Sequence, residues 1–113
     1  MYIQPKQTIM QESVTGDGDG KIEGLFGRYA TAIVQIANQS GTATHTFQGS
    51  LDGKTYHNLL ATNITSGATG ATATANGLYK VPVAGLNYFK IPISSYSSGG
   101  TITSYAMILP ESV

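Results

Sequence analysis

The chain has 113 residues, six basic and six acidic side chains, no Cys and no Trp. That length holds one domain with one core and excludes a TIM barrel or a two-domain dinucleotide-binding enzyme. The missing cysteines exclude a disulfide scaffold, a thiolate zinc site and a Cys nucleophile, and a formal net charge of zero argues against a nucleic-acid protein, which needs a basic stripe.

Charged residues make up 11% of the chain, against about 25% in an ordinary soluble domain. Two readings fit such a surface. One is a β protein partly covered by partners, since interfaces lose Lys, Glu and Asp. The other is a neutral, Thr-rich, extracellular-type β domain. No run approaches the roughly 18 apolar residues of a membrane span, and Met1–Met10 lacks a signal-peptide core, so no membrane partner is expected.

Helical periodicity is nearly absent, and turn signals recur every 8 to 12 residues or so. Tyr2–Met10 carries Pro5, which restricts it to an edge strand or an extended arm. Gly16-Asp17-Gly18-Asp19-Gly20 is a loop, and the glycines of Gly24–Gly27 turn the chain into the next strand. Tyr29–Ala37 is β-branched and apolar enough to be a central strand. After the turn Asn38–Gly41, Thr42–Ser50 alternates, with His45 and Phe47 on one side. Asp52-Gly53 predicts a hairpin joining Phe47–Leu51 to Tyr56–Leu60.

Thr62–Gly70 reads as a loop and Ala71–Ala75 as a weak edge strand. Asn76-Gly77 is a second hairpin turn, leading into Leu78–Val83. Tyr88–Ile93 places Phe89, Ile91 and Ile93 inward, against Tyr88, Lys90 and Pro92 outward. Ser94–Gly100 is a polar loop, and Thr101–Leu109 is the last strand, with Ile102, Ala106 and Ile108 on one face. The expected fold is all-β: an antiparallel β-sandwich of seven to eight strands, jelly-roll or Ig-like. Residues 1–14 form an N-terminal arm or edge strand and residues 15–113 the body.

Catalytic chemistry finds little support. No Gly-x-Ser-x-Gly elbow exists, and Ser50, Asp52 and His57 fall in one hairpin as common residues do by chance. Two histidines are too few for a zinc site: His45 reads as a core or interface imidazole and His57 as exposed. Asp17, Asp19 and Glu23 are the calcium candidates, but the EF-hand pattern fails at Lys21, Ile22 and Arg28, and a solvated Gly/Asp loop is the default. No cofactor is implied. The six basic residues are scattered, against a nucleic-acid partner. Tyr outnumbers Phe seven to three, and Tyr56, Tyr79 and Tyr96 are candidate stacking platforms for a glycan.

Several segments resemble small phage and prophage structural proteins. They are Tyr2–Thr8, Tyr29–Val34, Phe47–Tyr56 with Leu59-Leu60, Gly77–Val81, Val83–Leu86 and Ser98–Thr103. The Gly49-Ser50-Leu51-Asp52-Gly53 hairpin is similar to one in β-sandwich modules of phage virions, with Tyr56 where Trp is common. The resemblance implies a non-enzymatic capsid decoration, cement or head-fibre protein, with a tail or baseplate module as the alternative. It also implies a homo-oligomer, preferably a trimer, made in the host cytoplasm and carried on the particle surface. Its partners would be the major capsid protein or other virion subunits. The arm residues Tyr2, Ile3, Gln4 and Pro5 are the expected capsid or inter-subunit contacts. A carbohydrate-binding module using the tyrosines is the rival reading.

Overall fold

The computed structural model describes residues 4–39, 41–97 and 100–110. Every regular element among them is a strand. Six form one antiparallel sheet in the order β1 (Lys6–Val14), β13 (Ile102–Pro110), β3 (Tyr29–Ala37), β10 (Gly77–Pro82), β7 (Ala61–Asn63) and β8 (Thr69–Gly70). A second layer holds two smaller sheets. One runs β2 (Glu23–Gly24), β11 (Tyr88–Lys90), β5 (Gln48–Ser50), β6 (His57–Asn58); the other runs β12 (Ile93–Ser94), β4 (Thr44–Thr46), β9 (Thr72–Ala73). The smallest dimension of the molecule is 21 Å, the depth of two packed sheets. The fold is therefore an all-β sandwich.

The long central strands follow the pattern of their sequence. In β3, Ala32, Val34 and Ile36 are buried, and their register partners Ile108, Ala106 and Ser104 in β13 face the same core. β10 adds Tyr79 and Val81 to that face. Phe47, Phe89, Ile91, Ile93 and Leu25 from the second layer complete the cluster. Tyr79 and Phe47 tilt against each other with centroids 5.7 Å apart.

Two expected strands are each divided. Thr42–Ser50 splits into β4 and β5 at Phe47, and Tyr88–Ile93 splits into β11 and β12 at Ile91-Pro92. Proline lacks an N–H, so the ladder stops there and the chain passes from one small sheet to the other. The Thr46 amide donates to the Pro92 carbonyl at 3.0 Å across the gap. These two breaks, with the unexpected β2, β7 and β8, raise the count to thirteen paired segments among the described residues, several of only two residues. Thr62–Gly70, expected as a loop, contributes β7 and β8 at the far edge of the large sheet.

The N-terminal segment takes the edge-strand form of its two expected ones. Lys6–Val14 is the edge strand of the large sheet, paired with β13, and Gln4 and Pro5 are exposed ahead of it. The register shifts between Ile9 and Gln11 and again between Gln11 and Val14. Such a bulge inserts an extra residue, and it turns both Met10 and Gln11 inward. Gln11 Nε2 then donates to the carbonyls of Ile91, at 2.9 Å, and Gly18, at 3.1 Å. Ile91 sits where the ladder breaks, and the amide supplies the partner its carbonyl needs.

Gly20 closes over this amide at φ 66°, and a Cβ there would stand 2.4 Å from the Met10 carbonyl and 2.5 Å from Gln11. Gly67 has a similar φ of 79° but open space around it. Gly67→Ala should cost only the left-handed backbone penalty, about 1 kcal/mol, whereas Gly20→Ala should cost about 2 kcal/mol or more because backbone must also move. Urea denaturation of the two variants measures the difference; equal losses would contradict the packing around Gly20.

Candidate functional site

The outward side of the large sheet is the most distinctive surface. Strand alternation sends every second side chain of β1, β13, β3 and β10 away from the core. Read across the strands, one row is Ile9, Tyr105, Gln35 and Leu78, and the next is Gln7, Met107, Ile33 and Lys80. Ile9 and Leu78 are each 42% exposed and Met107 37%. Ile64, next to Leu78 through an amide bond to its carbonyl, extends the patch. In these two rows Lys80 is the one charge. Apolar side chains at consecutive paired positions on an outer face mark an interaction surface more than scattered exposure does.

The opposite layer carries the ion pairs, together with exposed Ile22, Phe26, Leu51 and Leu60 in its loops. Glu23 is buried between two lysines: Lys6 Nζ lies 2.6 Å from Oε2, and Lys21 Nζ lies 3.1 Å from Oε1 without hydrogen-bond alignment. Burial pushes the carboxyl up, but the two lysines outweigh it and hold its pKa below the usual value. Lys6 also donates to the Gly24 carbonyl at 2.9 Å and lies 5.0 Å from the Tyr29 ring centre, and Lys21 donates to Thr8 Oγ1 at 2.8 Å. Asp19 pairs with Lys90 at 3.3 Å, and Asp17 Oδ1 accepts the Tyr96 amide at 2.8 Å.

The three calcium candidates therefore point to three different partners. No group of three or more His, Asp or Glu side chains converges among the described residues. The segment is also pinned, because Gly18 exchanges two backbone bonds with Ile93 and Lys21 donates to the Met10 carbonyl. It is not the free solvated loop that its composition suggests.

The tyrosine platforms are corrected as well. Tyr79 is a core residue, 7% exposed, with its hydroxyl donating to the Ala75 carbonyl at 2.9 Å. Tyr56 is half-buried beneath the Lys90 ammonium, 4.2 Å from its ring centre. Desolvation first, then Tyr88, Asp19 and Asp52, push its phenol above the ordinary value. Tyr96 packs against the core edge and donates its hydroxyl to the Gly100 carbonyl. Tyr79 therefore has no open face for stacking, and Tyr56 is covered on one side by Lys90. The exposed aromatic is Phe26, 70% exposed at φ 54°, which the sequence reading did not single out.

Of the arm residues, Tyr2 and Ile3 lie outside the described residues, as do Ser98 and Gly99 of the closing motif. Gln4 and Pro5 are exposed immediately ahead of β1. Ser50, Asp52 and His57 do not assemble as a triad. Ser50 Oγ donates to Asp52 Oδ1 and accepts the Gly53 amide, both at 2.9 Å, and Asp52 also caps the Lys54 and Thr55 amides. This is turn chemistry. A depression of about 270 Å³ beside β7, β8 and β9 is lined by Ala61, Thr69, Gly70, Ala73 and Tyr79 among others, with no acid or base in its wall beyond the Tyr79 phenol.

His45 is fully buried in β4. Its Nε2 lies 2.8 Å from Gln39 Oε1, while Gln39 Nε2 donates to the Thr74 carbonyl at 2.8 Å. The amide orientation makes Gln39 Oε1 the acceptor, so His45 carries its proton on Nε2 and leaves Nδ1 unpaired in the core. Desolvation lowers its pKa to about 4.

No protein-family model matches the chain, and no curated protein matches it. Two solved structures share its fold. The SPBc2 prophage-derived protein YomS superposes with a TM-score of 0.76 at 19% identity, over 95% of this chain and 97% of that one. The PBSX exported protein XepA superposes with a TM-score of 0.86 at 13% identity, over 93% of this chain but only 37% of that one. The β-sandwich is thus one that prophage-derived proteins adopt.

The buried imidazole makes stability depend on pH. The folded protein disfavours the imidazolium, so between pH 6.5 and about 4 the unfolded chain binds the proton more tightly. Stability is whole above pH 6.5 and falls as the pH drops through that window. Glu23, with its lowered pKa, adds a loss that begins only below the ordinary carboxyl value of 4.5. Melting temperatures from pH 7.5 to 4.5 should fall for the native chain and stay nearly flat for His45→Gln. A native chain with a flat profile would contradict the neutral buried imidazole.

Proposed function

We propose that this chain is a non-enzymatic structural component of a phage virion, and in the finer form a decoration or cement protein of head-fibre type. The observation that carries the reading is the outward face of the large sheet, apolar and nearly uncharged, on a domain whose prospective catalytic groups are engaged in structural bonds. Glu23, Asp19 and Asp17 are each held by a lysine or an amide, and Ser50 and Asp52 build a turn. The prophage origin of both fold neighbours supports the phage setting.

The mechanism is passive. A protein that binds the assembled shell and not the free coat subunit shifts the equilibrium towards the shell. The chain would bind the shell through the residues ahead of Lys6, while its sheet face would hold copies of the chain together. Lys6 is fixed to Glu23, Gly24 and Tyr29, so Pro5 joins the body at a rigid root. An arm of that kind gains affinity by lying along a neighbour's sheet edge.

The deciding measurement is the distribution of the chain between purified heads and purified tails of the particle. Recovery on heads, with purified chain raising the temperature at which undecorated heads open, is the expected result. Recovery on tails alone would replace head decoration by the tail or baseplate role, and absence from both would end the virion reading. Removal of residues 1–5 should weaken particle binding at least about tenfold while the melting temperature of the free chain stays unchanged.

A further inference from the structure

We infer that the outer face of the large sheet binds the same face of a second copy of this chain, related by a two-fold axis that runs parallel to the strands between β13 and β3. The inference names the contact behind self-association in the proposed role; particle binding through the arm does not depend on it.

The register supplies the reason. A two-fold along the strands keeps each row opposite itself and exchanges the strand order, so β1 lies over the partner's β10 and β13 over the partner's β3. In the first row, Ile9 then meets the partner's Leu78, and Tyr105 meets the partner's Gln35. In the second row, Met107 meets the partner's Ile33, and Gln7 meets the partner's Lys80. Apolar side chains fall on apolar ones at both the edge and the centre. The phenol falls on an amide, and the one cation falls on an amide oxygen. The two Lys80 side chains are kept at opposite edges, about 14 Å apart across the face, so no like charges meet. This is the self-complementarity that an isologous contact needs.

The size also suits a second copy. Four strands about 4.8 Å apart over six or seven residues of about 3.3 Å each give roughly 380 to 440 Å² in projection. That is about half of the ~800 Å² per partner of a standard-size interface, the scale of a weak, reversible dimer. The short β8 and the bulged β1 leave the sheet's edges poor sites for pairing, which favours the face.

Sedimentation velocity of the full chain over a range of concentrations should show a reversible monomer–dimer equilibrium. Met107→Arg should weaken it at least about tenfold without changing the melting temperature, because the side chain is outside the core. Leu51→Lys, at an exposed apolar residue on the other layer, should leave it unchanged. The absence of native cysteine makes cross-linking selective. Ile9→Cys mixed with Leu78→Cys should be joined by a short bismaleimide, and neither variant alone should be. The proposal is overturned by a chain that stays monomeric, by dimers that survive Met107→Arg, or by Ile9→Cys alone cross-linking as well as the mixture. A monomer that still binds particles, with Met107→Arg abolishing that binding, would assign the face to a particle subunit instead.

Discussion

The step in β1 between Ile9 and Gln11 puts Met10 and Gln11 on the same side of the large sheet, and much of the second layer is arranged around that step. A buried primary amide is tolerable only with its hydrogen bonds made. Gln11 makes two, to Gly18 and Ile91, and so ties β1 to the loop and to the break between β11 and β12. The loop must then pass close over β1, which is why Gly20 stands where a Cβ would strike the Met10 carbonyl. Drawn in this way, Glu23 reaches the two lysines, Asp19 reaches Lys90, and Asp17 reaches the Tyr96 amide. One extra residue in an edge strand thereby turns an acidic loop with the look of a metal site into a set of separate structural contacts.

The parts of this arrangement that could be read from the sequence are those governed by a simple period. β3 and β13 alternate without interruption over their central residues, and their inner faces and central position follow from that. Phe89, Ile91 and Ile93 keep their inward phase even though the ladder breaks between them, because Pro92 removes a hydrogen bond and leaves the side-chain alternation intact. What escaped was whatever depended on a partner far along the chain. The bulge in β1 exists only relative to β13, so nothing local marks Gln11 as buried. Tyr79 looked like an amphipathic tyrosine because nothing local showed Phe47 against its ring. Thr62–Gly70 carries turn residues throughout, and its two short strands form only because β10 offers an edge.

The charges divide along the same lines. The ion pairs among the described residues involve Glu23 with Lys6 and Lys21, and Asp19 with Lys90, and all lie in or beside the second layer. The outer face of the large sheet was left with Lys80 in its two central rows. Five of the chain's twelve charged side chains are thus gathered in these ion pairs, and the two central rows of the outer face carry one. Fold alone assigns no function, and among the described residues no three His, Asp or Glu side chains gather at one point.

A sheet that associates can do so through its edge or through its face, and the two are guarded differently here. At one edge β8 is two residues long, too short to template a neighbouring strand. At the other, the bulge interrupts β1 after Ile9, so only Lys6–Ile9 presents a regular ladder, and Pro5 immediately before it has no N–H to give. Both devices limit open-ended strand addition, which would make fibres and not closed assemblies. The face has no comparable guard: Ile9, Met107, Ile33 and Leu78 stand on it with a single lysine at its margin. In the dimer proposed above, blocked edges and an open apolar face would confine association to side-chain packing between a limited number of copies.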